Sequence, residues 1–416
     1  MKLRETAVEI AREAIAAVKP DAAVKRALST AAFDPDPEGE VMLVAAGKAA
    51  WRMAAAASDL LGNRLARGIV VTKYGHVEHP LPRIVCHEAG HPVPDENSFR
   101  ATAAALDFVK GLSPHDTVVF LLSGGGSALF EAPLVSGEEL ADVTRQLLAC
   151  GADIVEMNTI RKRLSRVKGG RFAAACAPAH IFQVVLSDIL GDPLDMIASG
   201  PAAADTSTCA QAQTVVAKYN LKFPPGVFAC LAQETPRAVE NVETVVAGSV
   251  RELCAAAASA CAARGYAPEV IDTAVADEAR VAGRRLAEIV RTHAADGVRR
   301  AFIMGGETVV KLTGHGKGGR NQEFALAAAP ILDGLPNVAL ISVGSDGTDG
   351  PTDAAGGCVD GETATRLRAH GLSVDRALAE NDAYPTLAAV DGLVITGPTG
   401  TNVNDVAIGL LDVSEL

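Results

Sequence analysis

Short apolar runs alternate with longer segments of helical periodicity along the first half of the chain. Val41–Ala45 and Thr117–Leu122 have the length of buried strands, and glycine follows each run within a few residues. Strand, glycine turn, helix and strand in succession are typical of a parallel α/β sheet. We therefore predict further strands at Gly68–Thr72, Arg83–Cys86 and Phe182–Leu186, and helices at Leu3–Leu28 (broken at Pro20), after Gly47, and at Ser98–Leu112.

The second half resumes the alternation after an interruption. Residues Leu221–Thr235 are rich in proline and lose the apolar rhythm, and a chain of 416 residues is too long for one typical core. We therefore predict two domains, residues 1–235 and residues 236–416. The second is expected to hold strands at Val242–Ala247, Ala267–Asp272, Ala301–Met304, Thr308–Leu312 and Asn337–Val343, and helices at Arg251–Arg264, Asp277–Ala294 and Asn321–Leu332.

Composition narrows the class of protein. The formal net charge is −12, which argues against broad binding to nucleic acids or anionic membranes, because both need a basic face. The eight cysteines form no CxxC pair, and the chain shows neither a signal peptide nor an apolar run of membrane-spanning length. We expect a cytoplasmic α/β enzyme with a small-molecule substrate.

Residues that bind phosphate follow the first predicted strand, at the end where open parallel sheets bind ligands. Gly47 and Lys48 come directly after Val41–Ala45 and open a predicted helix. Helix N-termini attract anions, and a lysine adds a full charge. Lys48 is therefore either an anion-binding residue or a solvated lysine in a first helical turn.

A glycine loop follows Thr117–Leu122. It consists of Ser123, Gly124, Gly125, Gly126 and Ser127. Glycines let the backbone approach a ligand closely, and successive N–H groups can form an anion-binding nest. The loop therefore predicts a phosphate cradle, and a flexible turn is the alternative.

Carboxylates follow two other predicted strands. Asp188, Asp192 and Asp195 come after Phe182–Leu186, and a loop containing Asp346 and Asp349 comes after Asn337–Val343. Carboxylates at strand ends can hold Mg²⁺ against substrate phosphates. We name Asp188, Asp192, Asp346 and Asp349 as metal candidates; turn and cap roles remain open for all except Asp188.

The loop from Gly314 to Arg320 matches the G-x-G-x-x-G pattern, so a dinucleotide site has to be weighed. The loop carries Lys317 and Arg320, more positive charge than a pyrophosphate cradle needs. No acidic residue ends a strand about 20 residues further on, where a dinucleotide site has one. Arg320 suits a bidentate clamp on a carboxylate or phosphate.

Further motifs complete a pattern that covers nearly the whole chain. Together with the loops above, and in this order, they resemble the class II glycerate kinases, the glycerate 2-kinase family with a C-terminal MOFRL domain. The stretches are Glu88-Ala-Gly-His91-Pro-Val-Pro94-Asp95, Asn158…Arg161-Lys162…Leu164-Ser165…Lys168-Gly-Gly-Arg171, Ser187-Asp188…Asp195-Met-Ile-Ala-Ser199-Gly-Pro201, Gly305-Gly-Glu307-Thr308, Gly316…Arg320-Asn-Gln-Glu323, Ser345-Asp346…Gly356 and Thr399-Gly-Thr-Asn402-Val-Asn-Asp405.

The resemblance implies a Rossmann-like N-terminal domain, a smaller α/β C-terminal domain of MOFRL type, and an active site in the cleft between them. It implies ATP and Mg²⁺ as cofactors, D-glycerate as substrate and 2-phosphoglycerate as product. It marks Lys48 and Arg320 as the important basic pair. Members have also been labelled hydroxypyruvate reductases. A homodimer is a further expectation.

The hypothesis assigns a role to each candidate. Lys48 binds the transferring phosphate or the glycerate carboxylate, and Arg320 clamps the carboxylate or stabilises the transition state. Asp188 orients or deprotonates the 2-hydroxyl, or binds Mg²⁺. Gly47, Ser123–Ser127, Lys317, Gly318 and Gly319 bind the cofactor. The alternatives are an NAD(P)H-dependent hydroxypyruvate reductase, which would use the Gly314–Gly319 loop, and a non-catalytic sensor of small anionic metabolites.

Overall fold

The computed structural model describes residues 2–413, which form two compact units. The first unit comprises residues 23–187 and 192–247, and the second comprises residues 2–22, 188–191 and 248–413. Over this described part of the chain, each unit is built on a six-stranded sheet. No helix within residues 2–413 is both long enough and apolar enough to cross a membrane.

The sheet of the first unit has the strand order β3-β2-β1-β4-β5-β6, and the pairings β3/β2, β2/β1, β1/β4 and β4/β5 are parallel. This is the order of a Rossmann-like sheet, in which the direction of winding reverses between β1 and β4. Ligands bind at that switch point, beyond the carboxyl ends of the two strands. The strands are β1 Val41–Ala46, β2 Leu65–Lys73, β3 Ile84–Ala89, β4 Thr117–Leu122, β5 His180–Leu186 and β6 Val242–Gly248.

Helices cover both faces of this sheet, which is why β1 and β4 are buried along their whole length. Met42 and Val44 pack on one face, towards the helix at Glu96–Phe108, and Leu43 and Ala45 pack on the other, towards the helix at Ala50–Leu61. The helices up to residue 231 are α1 Lys2–Ala17, α2 Pro20–Leu28, α3 Ala50–Leu61, α4 Glu96–Phe108, α5 Gly126–Leu129, α6 Gly137–Ala149, α7 Ile154–Arg161, α8 Arg171–Cys176, α9 Cys209–Lys218 and α10 Pro225–Leu231.

The sheet of the second unit is mixed. Its order is β11-β10-β9-β12-β8-β7, with β7 and β8 parallel and the other neighbours antiparallel. Helices α12 and α13 pack on one face, and α1 and α11 on the other. The strands are β7 Ala267–Val275, β8 Arg300–Gly306, β9 Val338–Gly344, β10 Gly356–Asp360, β11 Leu393–Val394 and β12 Asp405–Leu411; the helices are α11 Val250–Ala262, α12 Ala279–Thr292, α13 Arg320–Leu332, α14 Thr363–Ala369, α15 Val374–Ala379 and α16 Ala383–Ala388.

The predicted fold class, a Rossmann-like parallel sheet followed by a second α/β region, is confirmed. The strand predicted at Thr308–Leu312 is wrong. Val309 forms only an isolated bridge with Glu278, and the side chains of Val309 and Leu312 are exposed, so the segment lacks the buried face that the apolar run suggested. The Pro-rich stretch predicted to be irregular contains α10, whose first residue is Pro225, a position where the missing N–H costs nothing.

Two features of the compact units differ from the boundary predicted after residue 235. Strand β6 lies beyond that boundary and completes the first sheet. Helix α1 begins the chain yet packs in the second unit, where Ile10 and Ala14 join Leu253 and Ala257 of α11 in one apolar cluster. Loss of periodicity in a sequence marks an irregular segment, and it carries no information about which sheet the next strand joins.

Candidate active site

The loops after β1 and β4 are joined by backbone contacts at the switch point of the first sheet. The Lys48 N–H donates to the Gly124 carbonyl at 2.9 Å, and the Ala49 N–H donates to Ser123 Oγ at 3.1 Å. Gly47 has φ +124°, and a Cβ there would lie 2.3 Å from Ser123 Oγ. Only glycine allows the two loops to approach this closely.

Lys48 brings a positive charge to these loops. Its side chain is half-buried, and within the described residues its ammonium has neither an ion pair nor a hydrogen bond. Its aliphatic stem lies beside Gly125, which has φ +85°; a Cβ on this glycine would be 3.0 Å from Lys48 Cγ and 2.9 Å from His91 Cδ2. A lysine held beside a glycine loop in this way suits an anionic ligand. Helix α3 begins two residues after Lys48.

A second segment packs against the end of the glycine loop. A Cβ on Gly126 would lie 2.6 Å from Ala198 Cβ. Ala198 and Ser199 have φ of 50° and 61°, a left-handed conformation that costs energy for residues with a side chain. The Ser199 hydroxyl lies 3.2 Å from the Ser127 hydroxyl and donates to Asn158 Oδ1 at 2.9 Å. Such strain is typical of functional sites.

The sequence predictions missed the basic residue beneath the loop. Lys168 is fully buried and forms an ion pair with the buried carboxylate of Glu131. Its ammonium donates to the Ser127 carbonyl at 2.8 Å and to the Phe130 carbonyl at 3.4 Å. Burial lowers the pKa of Lys168 to about 8, although the negative charge of Glu131 acts to raise it. Lys168 lies within a motif of the resemblance, and that motif was the available signal.

Arg320 lies in the second unit, at the first position of α13. Its Nε and Nη2 donate to the two oxygens of Asp405, at 2.5 Å and 3.0 Å, and Nη1 donates to Glu307 Oε1 at 3.1 Å. Burial opposes the charge of Arg320, but Asp405 outweighs this and raises the arginine pKa above its usual value. Three of the five N–H bonds of the guanidinium are used in this way. The remaining two can hold an anion.

Three residues around Arg320 were missed as site candidates although they stand in motifs of the resemblance. Asp405 is buried, and burial raises its pKa despite the pairing with Arg320. The Asn404 amide donates to Glu307 Oε2 at 3.2 Å and to the Asp188 carbonyl at 3.2 Å. Asp405 begins β12 opposite Gly306, the last residue of β8. The sequence predictions considered residues that follow the carboxyl ends of strands. Asp405 lies at the amino end of β12, which is antiparallel to β8, and was therefore missed.

The Gly314–Gly319 loop packs against the chain at residues 380–384. The N–H groups of Gly314, Gly316 and Lys317 donate to Asn381 Oδ1, the Glu380 carbonyl and Asp382 Oδ1 at 2.9, 2.7 and 2.9 Å. A Cβ on Gly314 would lie 2.3 Å from Glu380 Cα, and one on Gly316 would lie 2.5 Å from Asp382 Cβ. The Lys317 ammonium lies 4.3 Å from the ring centre of Tyr384. The first two glycines thus serve close packing within the unit.

The predicted acidic residues lie in different surroundings. Asp349 is buried and accepts the N–H groups of Asn321 and Gln322 at 3.1 and 2.9 Å, while burial raises its pKa to about 6. This carboxylate caps α13, and a Cβ on Gly319 would lie 2.2 Å from its Cγ. Asp346 Oδ1 accepts the Thr348 N–H at 2.9 Å.

Asp188 and Asp192 belong to different compact units. Asp192 has φ 53°, and its Oδ1 is buried without a hydrogen-bond partner among the described residues. The Asp188 carboxylate is half-buried, and its backbone carbonyl accepts the Asn404 amide. Within residues 2–413 no three His, Cys, Asp or Glu side chains converge to form a metal site. The metal roles of the four aspartates stay predictions.

Comparisons with known proteins identify the family. The model of a domain of unknown function (DUF4147) matches residues 6–232, and the MOFRL family model matches residues 300–405. A D-glycerate 2-kinase from Thermotoga maritima is 51% identical over 98% of both chains. A protein from Agrobacterium vitis with the provisional name hydroxypyruvate reductase is 41% identical over 89% of this chain and 87% of its own.

Solved structures agree with the sequence comparison. The crystal structure of a glycerate kinase from Thermotoga maritima superposes with a TM-score of 0.93 at 50% identity, over 99% of this chain and 100% of the other. The resemblance seen in the motifs is thereby confirmed across both units. The chain belongs to the glycerate 2-kinase family whose members carry a MOFRL region in their second half.

Proposed function

We propose that this protein transfers the γ-phosphoryl group of ATP to the 2-hydroxyl of D-glycerate. The observation that carries the proposal is the Lys48 ammonium, which has no partner within residues 2–413 and stands beside the Ser123–Ser127 loop at the switch point of the Rossmann-like sheet. Its relatives of high identity over the full chain include a D-glycerate 2-kinase. ATP and glycerate are therefore the substrates, and ADP and 2-phosphoglycerate the products.

The reaction forms one bond and breaks one. The 2-hydroxyl oxygen of glycerate attacks the γ-phosphorus, the bond from this phosphorus to the β,γ-bridging oxygen breaks, and ADP leaves with the electron pair. The hydroxyl proton must pass to a base. Because little covalent chemistry falls to the protein, catalysis consists of positioning the reactants and stabilising negative charge.

The first unit supplies groups suited to phosphate. In this proposal Lys48 binds the transferring phosphoryl group, and the N–H groups of Gly125 and Ser127 bind phosphate oxygens, whereas the Gly126 N–H donates to the Ser123 carbonyl at 3.3 Å. The Ser127 carbonyl is held by Lys168, and Gly125 packs beside Lys48, so the loop is fixed before a ligand arrives. A fixed set of donors stabilises the transition state without reorganising during the reaction.

The second unit supplies groups suited to a carboxylate. Arg320 is oriented by Asp405 on one edge and keeps two N–H bonds, which in this proposal bind the glycerate carboxylate. Asp188 is assigned to the attacking 2-hydroxyl, which it orients or deprotonates. Its carboxylate has no hydrogen-bond partner within the described chain.

Kinase chemistry implies Mg²⁺, which usually takes one or two protein carboxylates and completes its shell with water and substrate phosphates. The buried oxygen Oδ1 of Asp192, which lacks a partner in the described residues, fits such a ligand. Asp188 stays another metal candidate predicted from the sequence. When bound, the ion neutralises charge on the phosphates of ATP. Asp349 fits less well, because both of its oxygens cap α13.

The reductase alternative rested on Gly314–Gly319 as a dinucleotide loop. The N–H groups of Gly314, Gly316 and Lys317 are bonded to protein acceptors, which leaves them unable to hold a pyrophosphate in this arrangement. The kinase is therefore the function that the geometry supports best. The cytoplasmic location and the homodimer stay predictions from the sequence.

The variant Lys48→Met tests the proposal. We expect ATP-dependent phosphorylation of D-glycerate to fall by about 10²-fold or more, because a charge on the transferring phosphate is lost, as for other single groups that stabilise a transition state. The matched control is Lys110→Met, which removes an exposed lysine that forms a surface ion pair with Asp107. The assay follows ADP release. A Lys48→Met enzyme as active as the Lys110→Met control would contradict the assignment.

A further inference from the structure

Asn404 is held in one orientation by its neighbours. Its backbone N–H donates to Asn402 Oδ1 at 3.4 Å, and its carbonyl accepts the Ser345 N–H at 3.0 Å. Two acceptors, the Asp188 carbonyl and Glu307 Oε2, flank the side-chain nitrogen at 3.2 Å each. Because both acceptors need a donor, the amide nitrogen must face them, which fixes the position of Oδ1.

The side-chain oxygen of Asn404 has no partner in the described part of the chain. Asn404 is 4% exposed, and no donor among the described residues reaches Oδ1. Its backbone is in the left-handed region, with φ 67°, which asparagine tolerates better than most residues. A buried amide oxygen without a donor is costly, so a structure that keeps one calls for an explanation, such as a ligand.

The orphaned oxygen belongs to the same cluster as Arg320. The two oxygens of Glu307 bridge the Arg320 guanidinium and the Asn404 amide, at 3.1 Å and 3.2 Å. The next residue, Asp405, holds the other edge of Arg320. The Arg320 guanidinium, which can donate to an anion, therefore lies near the Asn404 amide oxygen, which can only accept from a donor. A small molecule that carries both a carboxylate and a hydroxyl matches this combination.

We infer that Asn404 Oδ1 accepts a hydrogen bond from the 3-hydroxyl of the substrate and so selects glycerate over 2-hydroxy acids without that group. The inference rests on the proposed function, because it presupposes that glycerate is the acceptor. An amide oxygen is too weakly basic to take a proton at neutral pH. It therefore suits the hydroxyl that keeps its proton, whereas the 2-hydroxyl loses its proton during phosphoryl transfer.

A pair of acceptors tests this on the wild-type enzyme. D-Lactate has the carboxylate and 2-hydroxyl of D-glycerate in the same configuration, with a methyl group in place of the hydroxymethyl group. We expect kcat/KM to be at least about 10²-fold higher with D-glycerate, because D-lactate leaves the buried oxygen unpaired. A preference of less than tenfold would overturn the inference and leave the kinase function intact. No phosphorylation of D-glycerate at all would instead overturn the proposed function.

The variant Asn404→Gly removes the oxygen and suits the left-handed backbone. Because Glu307 also loses a hydrogen bond, turnover of both acceptors is expected to fall, so the readout is the ratio of their kcat/KM values. We expect the ratio to shrink by about tenfold or more. The matched control is Asn381→Gly, another buried asparagine of the second unit, with φ 55°, whose oxygen is satisfied by Thr313 and Gly314.

The outcomes separate a specificity role from a structural one. A ratio reduced by Asn404→Gly and unchanged by Asn381→Gly supports the inference. A ratio that Asn404→Gly leaves as in the wild type would overturn it, whatever the loss of stability. If Asn404→Gly does not fold, the comparison of D-glycerate with D-lactate on the wild-type enzyme decides alone.

Discussion

Replacement of Gly125 by alanine should displace the lysine that the proposal places on the transferring phosphate. Gly125 has φ +85°, and a Cβ there would lie 3.0 Å from Lys48 Cγ and 2.9 Å from His91 Cδ2. Carbon atoms in ordinary contact are about 3.5–4.0 Å apart, so the stem of Lys48 must move by about 0.5–1 Å. A displacement of about 1 Å can cost about 10²-fold in rate.

Backbone strain must be separated from displacement of Lys48. Gly111 has φ +73°, and nothing lies within 4 Å of the position its Cβ would take. Gly111→Ala therefore pays the same left-handed strain, about 1–2 kcal/mol, without a new contact. Gly111→Ala should lose thermal stability through strain alone, and Gly125→Ala should lose at least as much. Only Gly125→Ala should lose activity, by about 10- to 100-fold in kcat/KM, or about 1.4–2.7 kcal/mol.

The assay is steady-state ADP release at varied ATP and D-glycerate, with thermal unfolding of each variant in parallel. A Gly125→Ala enzyme with kcat/KM within twofold of Gly111→Ala would refute the reasoning, because Lys48 would then tolerate displacement. Equal, large losses in both variants would refute it too, because strain alone would explain them.

Two further predictions concern Arg320 and Asp95. The side chains of Arg320 and Arg366 are each 34% exposed and each pair with a buried carboxylate, so Arg366→Lys is a matched control for Arg320→Lys. Arg320→Lys should lower kcat/KM by about 10- to 100-fold, the value of a charge-assisted hydrogen bond, while Arg366→Lys should leave kcat/KM within about threefold of the wild type. Equal kinetics of the two variants would contradict this prediction. Partial burial raises the pKa of Asp95, but hydrogen bonds from Tyr74 and the Ser98 and Gly90 N–H groups outweigh it and lower the pKa to about 2. The carboxylate of Asp95, which caps α4, thus stabilises the fold above about pH 4, and this contribution is lost as the pH falls through 2. Asp95→Ala should lower the free energy of urea unfolding by about 1–2 kcal/mol at pH 7, and by about 1 kcal/mol less than that at pH 3. A loss of unfolding free energy that does not change with pH would contradict this prediction.

The two loops at the switch point of the first sheet, which the proposal assigns to phosphate, were largely predictable from sequence. β1 and β4 are buried apolar runs that stop at Gly47 and Ser123, and in a parallel sheet such ends share one edge. The sequence did not reveal that β1 and β4 are neighbours at the switch point, because strand order depends on pairings far apart in the chain. The support from Lys168 was hidden for the same reason, since it reaches the loop from 41 residues away.

The Arg320 cluster shows where sequence reasoning reaches its limit. Arg320 and Asp405 are 85 residues apart, and they meet because β12 pairs antiparallel with β8 and β9. The apolar pattern predicted β8 and β9. It did not indicate how β12 pairs with them, and this pairing brings the start of β12 beside Glu307. Gly314 and Gly316 suggested a nucleotide loop where the structure shows close packing. Packing against residues 380–384 requires the same lack of a side chain as a bound nucleotide would, so the sequence pattern does not distinguish the two.

The central claim is phosphorylation of D-glycerate at its 2-hydroxyl, and proton-coupled ³¹P NMR of the protein with D-glycerate, ATP and Mg²⁺ tests it most directly. We predict loss of the γ-phosphate signal of ATP, growth of ADP, and a new phosphomonoester split into a doublet by the single proton on C2. A triplet would place the phosphate on C3 and contradict the proposed position. Unchanged ATP, together with NADH oxidation on addition of hydroxypyruvate, would contradict the kinase itself.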